Sequence, residues 1–151
     1  MIPAEEFRYA ILALQREGNR ALASALKPLG LTPAQAEAIR VLDESAPLTL
    51  AGLGDLLICE SGPGPSRLVD RLVASGAVER VTGVSDRRSV TLTLTPAGER
   101  LSALISEVET AMYASIDAAT AGHPVREILE LARLLLAGTP AGDALVRRTA
   151  G

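Results

Sequence analysis

Arginine residues in one part of the chain have the spacing needed to bind a negatively charged partner. Arg67 and Arg71 are four residues apart, so on a helix they share one side, opposite the apolar residues of the same segment. Arg87 and Arg88 are adjacent in a polar segment further along. Guanidinium groups form paired hydrogen bonds with phosphate oxygens and with guanine edges. These four residues therefore predict a contact with nucleic acid.

A helix and a hairpin are predicted to hold these arginines in place. Apolar residues recur at helical spacing over 67–73, and Gly76 ends the helix because glycine adopts the left-handed conformation at little cost. Residues 77–81 and 90–94 predict two antiparallel strands, since apolar residues and threonines alternate in the second segment. Residues 82–89 form a polar tip between them. A helix followed by such a hairpin is typical of a winged helix, whose tip reaches a narrow groove of DNA.

The start of the predicted helix allows two arrangements. Residues 62–65 are Gly-Pro-Gly-Pro, so few side chains there can bond to bases. If Ser61 is the N-cap, Pro65 removes the first hydrogen bond within the helix; if Gly64 is the N-cap, Pro65 takes the favoured first position. We favour Gly64 as the N-cap. Base contacts then depend on the hydroxyl of Ser66 and on the two helix arginines.

Two segments resemble the MarR family of transcriptional regulators. The wing pattern of this family is matched by Asp86-Arg87-Arg88 and Leu94-Thr95-Pro96-Ala97-Gly98, and its recognition helix and exit by residues 66–72 and 76–80. The resemblance extends more weakly over nearly the whole chain. It implies a homodimer that binds a pseudo-palindromic operator in double-stranded DNA, usually represses transcription, and often releases DNA when a small molecule or an oxidant acts on it.

The resemblance also implies roles for residues of the wing. Arg88 is expected to enter the minor groove, Asp86 to orient the wing by pairing with it or with a neighbour, and Arg87 to meet phosphate. Ser61 is expected to contact phosphate or to serve only as a cap. A structural ion pair between Arg88 and Asp86 is the alternative for these two residues, and both roles can hold at once.

The helix arginines have an alternative role as well. A bidentate contact of Arg67 or Arg71 with guanine is worth about 1–3 kcal/mol of discrimination between bases. The alternative is a pair of surface arginines on either side of Asp70, with no partner outside the protein. The order of helix and hairpin favours the contact with DNA.

Helices with clear start signals make up the first third of the chain. Residues 1–26 have a long apolar stripe, which indicates a partner helix. Thr32 and Gln35 predict a capping box that opens a helix to about residue 44. Thr49 is expected to cap a marginal helix that contains two glycines. The inward residues of this segment are predicted to be Leu50, Leu53, Leu56 and Leu57.

The last third predicts two further helices and a tail. Residues 96–122 and 124–138 have apolar stripes, and the second helix is apolar on more than one side. A second subunit is the simplest cover for this last helix, although it can instead lie in the core of the monomer. Residues 139–151 are rich in small residues and predict a loosely ordered tail, in which Leu145 and Val146 can dock.

Together these elements predict a mainly α fold with a small β-hairpin wing, a winged helix-turn-helix flanked by N- and C-terminal dimerisation helices. A single MarR-type domain is expected over residues 1–151. Within it, the DNA-binding part is predicted at 32–98, the dimerisation helices at 1–29 and 99–138, and the tail at 139–151.

The distribution of charge agrees with this organisation. The net charge is −3, whereas many DNA-binding domains are basic. Residues 61–100 contain six basic and four acidic residues, which gives +2, and the rest contains nine basic and fourteen acidic residues, which gives −5. Basic charge is therefore concentrated where DNA is expected to lie, and such a field steers its approach.

The sequence contains no catalytic constellation. It has no glycine-rich phosphate loop and no nucleophile with a base at a recognisable spacing. His123 is expected to be a cap or an exposed turn residue, and with Cys59 it is too little for a zinc site. The sequence therefore predicts a protein that is not an enzyme and has no cofactor or metal.

The single cysteine and the hydropathy point to a reducing compartment. Cys59 excludes a disulfide within the chain, and we expect it to be a buried, inert thiol rather than an oxidant sensor. No apolar run approaches the roughly 18 residues of a membrane span, and the N-terminus has no signal-peptide core. The sequence thus predicts a cytoplasmic protein with no membrane partner.

Two functions remain open from the sequence. The first is a dimeric, sequence-specific DNA-binding regulator, a repressor that a small molecule releases. The second is a dimeric helical module that keeps the winged-helix shape and binds a protein or a ligand instead of DNA; residues 62–65 and the negative net charge favour it. The family resemblance implies a pocket between the DNA-binding part and the dimerisation helices, suited to a hydrophobic or aromatic effector. No effector-binding residue follows from the sequence.

Overall fold

The computed structural model describes residues 2–59, 64–83 and 89–150 of the chain. Its elements are α1 (Pro3–Leu26), α2 (Pro33–Ser45), α3 (Leu50–Gly54), α4 (Pro65–Ala74), β1 (Val78–Thr82), β2 (Val90–Leu94), α5 (Pro96–Thr120), α6 (Val125–Leu136) and α7 (Pro140–Thr149). The predicted fold class, mainly helical with a two-stranded antiparallel wing, is confirmed. No helix in these three segments is long and apolar enough to cross a lipid bilayer.

Threonine residues cap the N-termini of α2, α3, α5 and α7. The Thr32 hydroxyl accepts a hydrogen bond from the Gln35 N–H (3.3 Å), and the Gln35 side chain accepts one from the Thr32 N–H (2.9 Å), so the predicted capping box is confirmed. Thr49, Thr95 and Thr139 each accept a bond from the N–H three residues further along. These bonds satisfy N–H groups that have no partner within the helix.

The hydrophobic core joins α2, α3, α4, the hairpin and the adjoining ends of α1 and α5. Its largest fully buried apolar side chains are Leu26, Ile39, Leu42, Leu53, Leu72, Leu92 and Ile105. The hairpin pairs Val78 with Leu94 and Thr82 with Val90 at its two ends. Leu48 bonds to Leu92 through both backbone groups, which attaches the segment before α3 to the hairpin. The middle of the chain is therefore one packed unit.

Outside this unit the terminal helices leave apolar surface uncovered. Leu26 is the only buried residue of α1, and α6 has none. In α5 the buried residues Gly98, Ser102 and Ile105 all lie in the first half. Large exposed side chains are found on α1 (Phe7, Tyr9, Ile11, Leu12, Leu14), on α5 (Leu104, Tyr113, Ile116) and on α6 (Val125, Ile128, Leu129, Leu131, Leu134, Leu135).

The C-terminal segment corrects one expectation. Residues 139–150 are not loosely ordered: Thr139 caps α7, and Ala144 is buried. Leu145 is half-buried as anticipated, but Val146 is exposed. Helices α6 and α7 approach each other closely at Gly142. A Cβ at this position would lie 2.1 Å from the Leu136 carbonyl oxygen. Only glycine permits this approach, so the two helices are held as one piece.

Two smaller expectations are also wrong. Leu50 was expected to point inward with Leu53 and Leu57, yet it is 39% exposed while the other two are buried. Leu50 is the first residue of α3, which has only five residues and ends at Gly54, so the predicted helical stripe does not continue to Leu57. The first strand covers 78–82 rather than 77–81, because the N–H of Ala77 donates to the Leu72 carbonyl of α4 (3.0 Å) rather than to the opposite strand.

Candidate nucleic-acid interface

Helix α4 separates an apolar side from a charged side. Leu68, Val69 and Leu72 are buried, while the arginines at 67 and 71 are exposed. The helix begins at Pro65 with Gly64 as N-cap, which confirms the preferred arrangement. Gly64 has φ +93°, a conformation that other residues adopt only with strain, and this explains why a glycine precedes the proline.

The acidic residue of α4 has a partner on the hairpin. Asp70 forms an ion pair with Arg80 of β1. The alternative in which Arg67 and Arg71 are surface residues with no partner outside the protein stays a prediction, as does their contact with DNA. Within the segments that the structure describes, neither of these two arginines has a carboxylate within ion-pair distance. Both side chains are exposed at the surface of α4.

The end of the hairpin is fixed against α4 by backbone contacts. The Thr95 hydroxyl donates to the Gly76 carbonyl, and the Thr95 N–H donates to the Ala77 carbonyl (3.1 Å). Gly98 lies so close that a Cβ would be 2.0 Å from the Ala77 oxygen. At the far end, the Gly83 N–H donates to the Ser89 carbonyl (2.8 Å). These bonds hold the two strands together as far as Gly83 and Ser89.

Several predicted site residues lie outside the described residues. These are Ser61, Asp86, Arg87 and Arg88. Ser66, Arg67 and Arg71 are described, and all three are exposed on α4. The structure thus brings the three helix residues together on one surface, and the roles assigned to the other four stay predictions.

Arg40 of α2 joins this helix to α5, which the sequence analysis missed. Its guanidinium contacts the carboxylates of Asp43 (3.0 Å), Glu44 (3.3 Å) and Glu109 (3.1 Å) and the hydroxyl of Ser102 (3.0 Å). Its side chain is 19% exposed, so these charge-assisted bonds are partly shielded from water. In the sequence, the position of Arg40 among the apolar residues of α2 was the feature that could have predicted these contacts.

Glu37, one turn earlier on α2, was also missed. Its carboxylate accepts hydrogen bonds from the backbone N–H groups of Ile58 (2.8 Å) and Cys59 (2.7 Å). Arg148 of α7 pairs with the same carboxylate at 3.1 Å. The side chain of Glu37 is only 8% exposed, so a buried charge holds the segment that follows α3. The partners are far apart in sequence, and no local pattern predicts them.

Cys59 is exposed, not buried as the sequence analysis expected. It lies in the turn after α3, where its N–H bonds to the Glu37 carboxylate (2.7 Å) and its side chain stays partly exposed. Partial burial of the thiol raises its pKa, and the charge of Glu37 and a hydrogen bond to that carboxylate raise it further, while Arg148 opposes them. The thiol is thus accessible, yet less ionised than an ordinary cysteine.

A cleft of about 440 Å³ lies between α7 and the end of α3. Its polar side chains are Asp55, Asp143 and Arg147, and Ile58 and Pro140 contribute apolar surface. The Arg147 guanidinium donates to the Asp55 carbonyl (3.1 Å). Among the described residues, no group of His, Cys, Asp and Glu side chains is placed to bind a metal ion.

Comparison with known proteins agrees with this geometry. A family model described as a winged helix DNA-binding domain matches residues 31–98. No curated protein matches the chain. Among solved structures, wild-type MarR from E. coli in its apo form is 26% identical, covers 90% of this chain and 98% of its own, and superposes with a TM-score of 0.67.

Two further structures extend the comparison. A mutant MarR from E. coli complexed with operator DNA is 26% identical, with coverage of 86% of this chain and 91% of that one and a TM-score of 0.69. MarR from Staphylococcus aureus in complex with salicylate and kanamycin has a TM-score of 0.72 and coverages of 90% and 94%. Its identity of 17% shows a shared fold alone.

Proposed function

We propose that this chain, which belongs to the MarR family of winged-helix DNA-binding transcriptional regulators, represses transcription as a homodimer on a pseudo-palindromic operator. Members of this family regulate transcription and are not enzymes. The observation that carries the proposal is the surface of α4, where Arg67 and Arg71 are exposed while Arg80 neutralises the intervening Asp70. A helix with this surface fits the major groove, where arginine recognises guanine.

The remaining contacts follow from the position of α4. The Ser66 hydroxyl lies in the first turn of the helix, and in the proposed complex it bonds a base edge. From the wing, Arg88 enters the minor groove, Asp86 orients it, and Arg87 contacts phosphate. Ser61 contacts phosphate before the helix. These assignments are part of the proposal, supported by the direction of the hairpin and by the operator complex of a relative.

The terminal helices supply the dimer. The exposed apolar faces of α1, α5 and α6 need a cover, and a second copy of the chain offers the same faces in return. A two-fold dimer then places its two α4 helices in successive major grooves, with half-sites about 10–10.5 base pairs apart. The predicted dimerisation segments 1–29 and 99–138 are part of this proposal, and α7 lies outside them.

Release by an effector and a cytoplasmic location complete the proposal. A relative with the same fold was solved with salicylate and kanamycin, and the aromatic salicylate supports a small aromatic effector for this chain. We place its site between the DNA-binding part and the terminal helices. The partner DNA lies in the cytoplasm, and the protein is expected to act there.

Selection of bound fragments from genomic DNA, followed by binding measurements at several salt concentrations, tests the proposal. We expect a palindromic site, an affinity that falls steeply with salt, and losses of about tenfold or more for Arg71→Ala and Arg88→Ala. Arg126→Ala is the matched control, because Arg126 is exposed on the polar side of α6, away from α4. If random DNA competes as well as the selected site, the function is instead that of a module without operator recognition.

A further inference from the structure

One buried carboxylate joins two segments that are far apart in the sequence. Glu37 binds the N–H groups of Ile58 and Cys59 with its two oxygens and pairs with Arg148 through Oε1. We call these four residues the Glu37 junction. On one side it holds the turn that leads from α3 toward α4, and on the other it holds α7.

The turn depends on Glu37 for its order. The N–H groups of Leu56 and Leu57 bond to carbonyls of α3, the second at a long 3.4 Å. Within the described part of the chain, the next two N–H groups have Glu37 as their acceptor. Hydrogen bonds to a carboxylate are roughly twice as strong as those between neutral groups. The carboxylate therefore orders the chain after α3 as far as Cys59, five residues before Gly64.

Helix α7 is in turn fixed to α6. The Thr139 hydroxyl donates to the Leu136 carbonyl (2.7 Å), and Gly142 packs against the same carbonyl. Arg147 makes a second link, from α7 to the end of α3, through the Asp55 carbonyl. A displacement of α6 therefore moves the guanidinium of Arg148 relative to Glu37.

From this arrangement we propose that Glu37 and Arg148 are positioning residues for DNA binding, through which the C-terminal helices control the placement of α4. The inference rests on the proposed function, in which α4 contacts DNA and α6 belongs to the dimer interface. Arg148 is the only cation within ion-pair distance of Glu37 in the described residues. Its removal leaves a buried carboxylate without a counter-charge, and such a charge is strongly unfavourable. The carboxylate then turns toward water and releases the turn.

The first measurement is amide hydrogen exchange of Ile58 and Cys59 by NMR in the full-length protein without DNA. We expect Arg148→Met to speed exchange of these two amides about tenfold and Arg148→Lys to restore most of the protection. Arg126→Met, which removes the same charge from an exposed site, should leave both amides unchanged. Unchanged exchange in Arg148→Met overturns the inference, whether or not the protein binds DNA.

The second measurement is affinity for the selected operator. Arg148→Met should weaken binding about tenfold with an unchanged dimer, Arg148→Lys should bind nearly as wild type, and Arg126→Met should stay within about twofold. Faster exchange with wild-type affinity overturns the inference. Absence of operator binding in the wild-type protein contradicts the proposed function instead, and the exchange data then still decide whether the junction orders the turn.

A comparison in a Glu37→Gln background keeps the test valid if Arg148→Met unfolds. Glu37→Gln removes the buried charge and keeps one oxygen acceptor, so adding Arg148→Met should have little further effect on operator affinity. A further loss of about tenfold in the double variant, relative to Glu37→Gln alone, would show that Arg148 acts independently of the carboxylate and would overturn the inference.

Discussion

The winged unit, formed by α2, α3, α4 and the hairpin, buries its large apolar side chains, whereas the terminal helices leave theirs exposed. In the unit formed by α2, α3, α4 and the hairpin, the large apolar side chains meet each other within one chain. In α1, the second half of α5 and α6, similar side chains are exposed. A closed core belongs to a part that folds on its own contacts, whereas an open apolar face belongs to a part that is completed by another molecule. The comparison therefore separates the residues that determine stability from those that determine assembly.

Truncation in the closed core should have the largest effect. Leu72 of α4 is fully buried, so Leu72→Ala leaves a cavity and should lower the free energy of unfolding by about 2–5 kcal/mol. Urea unfolding followed by circular dichroism measures this change. The loss should be similar at low and high protein concentration, because the cavity lies within one chain. A loss that depends strongly on concentration would mean that the core extends across a subunit interface.

A charge on the open face should have a smaller effect, and one that depends on concentration. Leu129 of α6 is 48% exposed in the single chain, so Leu129→Glu should leave the winged unit folded and raise the dimer dissociation constant about 10- to 100-fold. Sedimentation at several concentrations measures it. Arg126→Glu, one turn earlier on the polar side of the helix, is the control. Equal dissociation of both variants would place the interface elsewhere.

The winged unit was largely predictable because its signals are local. A threonine-proline pair starts α2, alternating residues form β2, and Gly64 with Pro65 starts α4; each depends on a few neighbouring residues. The same signal at Thr139 and Pro140 starts α7, but the small residues that follow were taken for a tail. The Glu37 junction was not predictable, since Glu37 and Arg148 are 111 residues apart and only the fold brings them together.

The features of the candidate site also divide into those that local sequence predicts and those that depend on the fold. The exposure of Arg67 and Arg71 followed from the helical spacing of the apolar residues beside them. The pairing of Asp70 with Arg80 did not, because it links a helix to a strand and depends on the angle between them. The exposure of Cys59 was missed for a related reason: its turn is ordered by a distant carboxylate rather than by burial of its own side chain.

Removal of a threonine N-cap should have the smallest effect on stability, and the effect should differ between the closed core and α7. Thr32→Ala removes half of a capping box on α2, a helix of the closed core, and should lower the free energy of unfolding by about 1 kcal/mol. Thr139→Ala removes the bonds to the Gly142 N–H and the Leu136 carbonyl. Because Gly142 and Ala144 are the only buried residues of α7, its loss of order should be local. We expect faster hydrogen exchange over 140–149 with an unchanged unfolding midpoint.

Thr139→Ala also distinguishes two ways in which α7 can be fixed to the rest of the protein. If the corner with α6 orders this helix, Thr139→Ala should loosen Arg148 and thereby speed exchange of Ile58 and Cys59 as well. If Arg148 and Arg147 alone hold it, exchange should rise only near residue 140. In either case the unfolding midpoint should stay unchanged. A shift of the midpoint comparable to that of Thr32→Ala would mean that α7 belongs to the closed core rather than to the terminal helices.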